Sequence, residues 1–254
     1  MKFYLFNNLH SGDNLFSRPL IKKLIELNQT VAIGCYKNMK YLFDDLPCEK
    51  IVANFNEGQN DLLSLCPSDY TPINTWLGYG WRGNDFIGIN WENIVELFNE
   101  QSPNFKIIYN QDTMPFMDFD TDIDIEIPEK TIYIANSPCR GNCSFFVFDL
   151  DRITKTFPQY HFICTYQGCG SPNILNFSNK NLVELSKASE KCIAFLGKGS
   201  APSDCTIVSS NIGKPRAFCG FHDRGLKPCY PHPKDKTEFL NMMDEVIQFI
   251  EKIC

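Results

Sequence analysis

The sequence predicts an α/β protein made of two Rossmann-like βαβ domains that face each other across a cleft. Two observations carry that expectation. Short apolar strands alternate with amphipathic helices along most of the chain, the pattern of a parallel sheet covered by helices. An acidic stretch interrupts the alternation near the middle, after which it restarts. The 254 residues are enough for two domains, each with its own core.

The elements follow in order. Lys2 to Asn7 is the first strand, ended by the polar run Asn8 to Asp13. Leu15, Phe16, Leu20, Leu24 and Leu27 then recur at helical spacing. Pro19 suits only a first turn, which starts that helix near Ser17 or Arg18. Thr30 to Cys35 is a strand, Asn38 to Leu46 a short helix and Lys50 to Ala53 a third strand. Asn54 to Asn90 is irregular, and Thr71 to Leu77 within it makes a poor strand. Trp91 to Gln101 reads as a helix and Phe105 to Tyr109 as a strand.

Asp118 to Glu126 alternates acids with other residues and cannot be a central strand, since like charges would line one face. It is expected to join the domains 1–125 and 126–254. In the second half, strands are expected at Thr131 to Ala135, Tyr160 to Thr165, Lys191 to Leu196 and Arg216 to Cys219. Helices are expected from Ser144 to about Thr156, over Asn179 to Ala188, over Ser203 to Asn211, and over Lys234 to Ile253.

Composition excludes several function classes. The chain is 43% hydrophobic and 21% charged, as folded proteins are. A net charge of -6 is wrong for a partner that grips nucleic-acid phosphates. No apolar run approaches bilayer length, and the opening residues lack the features of a secretion signal, so a cytoplasmic location is expected. The twelve cysteines then read as mostly free thiols, with Cys35, Cys164 and Cys192 acting as small buried hydrophobes.

Three polar loops follow strands, where open α/β sheets bind ligands. In His10-Ser11-Gly12-Asp13, Gly12 permits close approach, and Asp13 is either a general base or a helix cap. In Asn136 to Cys143, Ser137 and Arg140 suit a diphosphate. In Gly197 to Asp204, Lys198, Gly199 and Ser200 could form a phosphate nest, although no Walker A spacing is present. Gly78 to Gly83 spells G-x-G-x-x-G, but Tyr79 and Trp81 are too bulky for a pyrophosphate turn. An aromatic loop touching an acceptor is expected there. The pairs Cys139/Cys143 and Cys164/Cys169 are spaced too loosely for a strong zinc pattern, and no metal site is assigned.

The run from Ser11 to Leu20, with Gly12-Asp13 a few residues before Pro19 at the end of a first strand, resembles the lipopolysaccharide heptosyltransferase-like family. These are glycosyltransferases of family 9 type with the two-Rossmann GT-B fold. Thr131 to Cys164 is similar to the family's donor-side βα unit, and Leu182 to Phe218 follows its order of helix, strand, Gly/Ser loop and helix. The resemblance implies a metal-independent, inverting transferase with no cofactor beyond its nucleotide-sugar donor. Asp13 would be the base. His10, Gly12, Trp76 and Gly78 would meet a glycan or small-molecule acceptor on the N-terminal side. Ser137, Arg140, Lys198, Gly199 and Ser200 would hold the donor diphosphate. The chain departs from the family in its third loop, where Lys198-Gly199-Ser200 replaces an acidic residue, Ser/Thr and Gly, with no downstream histidine. It is also shorter than typical members. A non-catalytic nucleotide- or sugar-binding protein on the same frame is the alternative, and another α/β enzyme such as a sugar-nucleotide epimerase the third.

Overall fold

A computed structural model describes residues 1–54, 61–76, 91–110, 112–138, 146–220 and 237–253. Described residues up to Thr121 form one compact unit, and those from Asp122 form a second.

The first unit holds a parallel sheet of β1 (Lys2–Phe6), β2 (Thr30–Tyr36), β3 (Glu49–Ala53) and β4 (Thr71–Asn74), in the order β3-β2-β1-β4. Phe3, Tyr4, Leu5 and Phe6 are all buried, as an inner parallel strand covered on both faces requires. After β1 come a one-turn helix α1 (Ser11–Leu15) and α2 (Arg18–Glu26), with Pro19 in the first turn of α2. Leu20, Ile21 and Leu24 form the buried stripe of α2. A 3-10 stretch at Lys37–Leu42 takes the place of the helix expected from Asn38 to Leu46. Helix α3 (Trp91–Gln101) packs beside β4.

Two further expectations in this half are corrected. Thr71–Asn74 is a strand after all, in register with Phe3 to Phe6 of β1. Pro72 is tolerated because β4 lies at the sheet edge, where a missing N–H breaks no second ladder. Phe105 to Tyr109 is not a strand. The Asn99 side chain holds this segment instead, its Oδ1 accepting from Ile107 N at 2.8 Å and its Nδ2 donating to Ile107 O at 2.8 Å.

The second unit opens with β5 (Thr131–Ala135), α4 (Leu150–Thr156), β6 (His161–Cys164), β7 (Ile174–Asn176) and α5 (Leu182–Glu190). It continues with β8 (Ala194–Gly197), α6 (Ala201–Asp204), β9 (Arg216–Cys219), β10 (Thr237–Leu240) and α7 (Met243–Ile253). The parallel order is β10-β9-β8-β5-β6-β7, which in the unit's own strand count is the Rossmann order 3-2-1-4-5-6. Ile132, Ile134, Phe162, Leu196, Val246 and Ile250 sit together in its core.

Local chemistry shortens several helices relative to expectation. Ser144 lies outside the described residues; the helix there is described from Leu150, where the Asp149 side chain accepts from Arg152 N at 3.0 Å. Asn181 and Glu184 form a capping box at the start of α5. The expected Ser203 to Asn211 helix is a short α6 followed by a 3-10 turn at Ser209–Asn211. Lys234 to Ile253 is not one helix either. Thr237–Leu240 pairs with β9, and Glu245 accepts from Asn241 N at 2.6 Å and Met242 N at 3.0 Å, starting α7. The short strand β7 had no distinct sequence signal.

The acidic run straddles the division between the units and forms no strand, as its charges require. Its start is fastened by Arg18, a fully buried cation. Arg18 forks onto Asp45 at 2.9 and 2.6 Å, reaches the carbonyls of Leu42, Met117 and Asp118, and stacks 3.9 Å from the Phe119 ring. Burial pushes the Asp45 carboxyl up, but hydrogen bonding and charge from Arg18, with the Asp120 amide, outweigh it and leave it below the usual range. Further along, Lys191 binds Asp124 at 2.5 Å and Ile125 O at 2.8 Å.

No described helix is long and apolar enough to cross a membrane. The eight described cysteines are free, and Cys35, Cys164 and Cys192 are buried. Burial pushes Cys164 and Cys192 up to about 12 and Cys35 to about 11, which suits core packing and not nucleophilic chemistry.

Candidate functional site

Both sheets change direction of winding at a single place. In the first unit the chain leaves β1 for β2 on one side and later returns to β4 on the other; in the second, β5 is flanked by β6 and β8 in the same way. The crevice outside the carboxyl ends of such strands is where open α/β sheets bind ligands. The expected site residues that lie in the described segments fall at these two places. His10, Gly12 and Asp13 follow β1, and Trp76 follows β4. Ser137 follows β5, and Lys198, Gly199 and Ser200 follow β8. Gly78 and Arg140 lie outside the described residues.

At the first crevice the loop backbone is fixed by its own polar groups. Asn7 is buried; its Oδ1 accepts from Leu9 N at 2.9 Å and its Nδ2 donates to Asp13 O at 3.3 Å. Asn14, also buried, places Nδ2 within reach of the carbonyls of Leu9 (3.0 Å), His10 (3.1 Å) and Asn7 (3.5 Å). These two amides fix the elbow backbone. Helix α1 begins after His10, so Asp13 sits in its first turn and does not occupy the cap position. Asp13 is half-buried and His10 exposed. Across the crevice, Thr75 continues the β4 ladder by one residue, its N donating to Phe6 O at 2.9 Å and its hydroxyl to the same oxygen at 3.2 Å. The Asn74 backbone is clamped by Gln101 at 2.8 and 2.9 Å, and half-buried Trp76 donates its N–H to Asn74 Oδ1 at 3.0 Å.

The second crevice is built from the same plan with different chemistry. Lys198 continues β8 by one residue, as Thr75 continues β4, its N donating to Ala135 O at 3.3 Å. Its side chain is buried at 6% exposure, and Nζ donates only to Phe146 O, at a long 3.4 Å. Among the described residues no carboxylate pairs with it. Two residues on, Ser200 stands at the cap position of α6 without capping it, and its Oγ is buried with no partner among the described residues. Gly197 is required by close packing: a Cβ there would lie 2.4 Å from Ser203 Oγ and 3.3 Å from the Ala135 Cβ.

Ser137 is drawn into a staple between the loops after β5 and β6. Its Oγ donates to Thr165 O at 3.2 Å and lies 2.9 Å from Thr165 Oγ1. Asn136 completes the staple, donating to Gln167 O at 3.0 Å and accepting from Tyr166 N at 2.9 Å. Sequence reasoning missed Asn136, Thr165, Asn7 and Asn14 as organisers of these loops. The usable signal was a polar residue with a short amide or hydroxyl side chain just past each apolar strand. Among the described residues, no group of His, Cys, Asp and Glu is arranged to hold a metal ion.

No protein-family model and no curated protein matches the sequence. Solved structures do match over the whole chain. The ADP-heptose lipopolysaccharide heptosyltransferase II of E. coli aligns with 100% of this chain and 98% of its own, with a TM-score of 0.61 at 11% identity. The fold is that of the heptosyltransferases. A second E. coli heptosyltransferase, solved with ADP, aligns with 100% of both chains at TM-score 0.60 and 11% identity. A family 9 glycosyltransferase from Veillonella parvula covers 100% of this chain and 90% of its own at TM-score 0.60, again at 11% identity. The likeness is one of fold, and the chemistry of this heptosyltransferase-like frame has to be argued from its own residues.

Proposed function

We propose that the chain is a glycosyltransferase that moves a hexosyl or heptosyl group from a nucleoside-diphosphate donor to an acceptor hydroxyl, inverting the anomeric centre without a metal. One observation carries the reading: a buried lysine at the Rossmann switch point of the second unit, whose ammonium makes a single long hydrogen bond among the described residues. A buried cation without a counter-ion costs several kcal/mol, roughly, unless something neutralises it. A diphosphate supplies that charge, and Ser200 Oγ, buried without a partner among the described residues, supplies a donor two positions on. Neighbours of the same fold were solved with ADP and with ADP-2-deoxy-2-fluoro heptose.

In this reading Lys198, Ser200 and the Gly199 amide bind the diphosphate, joined by Arg140. Ser137 shapes the loop through its bonds to Thr165. Asp13 accepts the acceptor's hydroxyl proton as the new carbon–oxygen bond forms, on the face opposite the leaving group. The bond from the anomeric carbon to the diphosphate oxygen breaks, and its electron pair leaves with the nucleotide, where the Lys198 charge stabilises it. His10, Gly12, Trp76 and Gly78 contact the acceptor.

The test is sugar transfer from a panel of nucleoside-diphosphate sugars, beginning with ADP-heptose, by the wild type and Asp13→Asn. The variant is expected to lose about 100- to 10,000-fold in kcat while keeping its affinity for the nucleoside diphosphate. Unchanged turnover in Asp13→Asn overturns the base assignment. Tight nucleotide binding with no turnover of any donor supports a binding protein on this frame, the reading that the altered third loop favours.

A further inference from the structure

In a Rossmann unit the end of the second strand meets the nucleoside, often through an acid that binds the ribose hydroxyls. In the second unit that strand is β6, and the positions after it are Thr165, Tyr166 and Gln167. None is acidic. Thr165 is buried and committed to Ser137, whereas Tyr166 presents a 43% exposed ring. Tyr133, Phe162 and Phe195 are by contrast buried in this unit's core.

The Tyr166 backbone is held on both sides by Asn136, which accepts from Tyr166 N and donates to Gln167 O. Gly168 then lets the chain fold tightly back, since a Cβ there would lie 2.8 Å from Ile174 Cγ2. The exposed ring therefore rides on a backbone already fixed, and little ordering entropy is lost when a ligand meets it. Strand β5 lies between β6 and β8, so the ends of those two strands are about 10 Å apart, two strand spacings. A ribose bridges a gap of that size between a diphosphate at Lys198 and a base at Tyr166.

We propose that Tyr166 is the nucleobase platform of this protein, stacking against the base of a nucleoside diphosphate whose phosphates lie at Lys198, with the exposed Gln167 side chain at the base edge. This rests on the nucleotide reading given under Proposed function. It assigns recognition to the base face and not to an acid on the ribose, so bases of different kinds bind through one surface.

Calorimetry with ADP, UDP and inorganic pyrophosphate tests it on the wild type, Tyr166→Ala and Tyr166→Phe. The expected result is a tenfold to hundredfold (about) loss of ADP and UDP affinity in Tyr166→Ala, pyrophosphate affinity unchanged, and near wild-type binding by Tyr166→Phe. In NMR spectra the base protons of bound ADP shift upfield on the wild type and Tyr166→Phe, and lose that shift on Tyr166→Ala. Equal ADP affinity in wild type and Tyr166→Ala overturns the platform and leaves the nucleotide reading standing. So does an equal loss for pyrophosphate and ADP, which marks a structural effect. No binding of ADP, UDP or pyrophosphate by the wild type at millimolar concentration overturns both.

Discussion

Thr75 and Lys198 occupy equivalent places in two similarly wound units, each one residue past the strand that closes the switch point. Thr75 spends its hydroxyl on the carbonyl of Phe6, within a crevice whose amides, Asn7 and Asn14, are likewise bonded to the protein. Among the described residues, Lys198 Nζ makes one long hydrogen bond and Ser200 Oγ makes none. In the first crevice the bonds of Asn7 and Asn14 hold the elbow that carries Asp13 in shape. The second holds a buried cation and a buried hydroxyl with little bonding among the described residues, the feature on which the proposed diphosphate site rests. Arg18 sharpens the contrast, because it is as deeply buried as Lys198 and its charge is met by a forked carboxylate, three carbonyls and a ring. A buried cation is thus compatible with either role, and its partners decide which.

Three substitutions probe the contrast, in falling order of the stability lost. Arg18→Met leaves Asp45 buried without its partner and is expected to cost about 3–5 kcal/mol in chemical denaturation. Because Asp45 is held below its unfolded pKa of about 3.9, the pair's contribution is complete above that pH and fades as the pH falls through the depressed folded value. Stability curves of wild type and Arg18→Met should therefore converge on acidification; a gap that stays constant down to pH 2 would count against the pair. Asn14→Ala leaves elbow carbonyls unpaired and should cost about 1–3 kcal/mol, with slowed transfer through a loosened Asp13. Full stability in that variant would show the elbow is held by something else. Lys198→Met should lose no unliganded stability and should gain some, since it removes a buried cation that no carboxylate among the described residues neutralises; a loss as large as that of Arg18→Met would make Lys198 structural.

Much of the fold was legible because buried parallel strands announce themselves through β-branched and aromatic runs, as at Phe3 to Phe6 and Ile132 to Ile134. What misled were segments whose partners are far away in sequence. Thr71 to Asn74 has little apolar content and a proline, yet pairs with β1 because an edge position asks less of it. Ile107 and Ile108 look like strand residues, but the Asn99 side chain takes the place of a neighbouring strand. Thr237 to Leu240 fits a helical stripe as well as a strand, and only pairing with β9 separates the two. At the site, Lys198, Gly199 and Ser200 were readable from a Gly/Ser/Lys loop after an apolar strand. The state of Lys198 was not, since burial without a counter-ion is a property of the packed structure. The commitment of Ser137 to Thr165 likewise depends on a loop 28 residues away.

Thermal unfolding with added ligand tests most directly whether the Lys198 loop receives a diphosphate. A nucleoside diphosphate at 100 times its Kd should stabilise the wild type by about 2.7 kcal/mol, and Lys198→Met much less at the same concentration. Unliganded Lys198→Met should melt no lower than the unliganded wild type. Equal stabilisation of wild type and Lys198→Met, or stabilisation of the wild type by NAD and by no nucleoside diphosphate, would contradict the account.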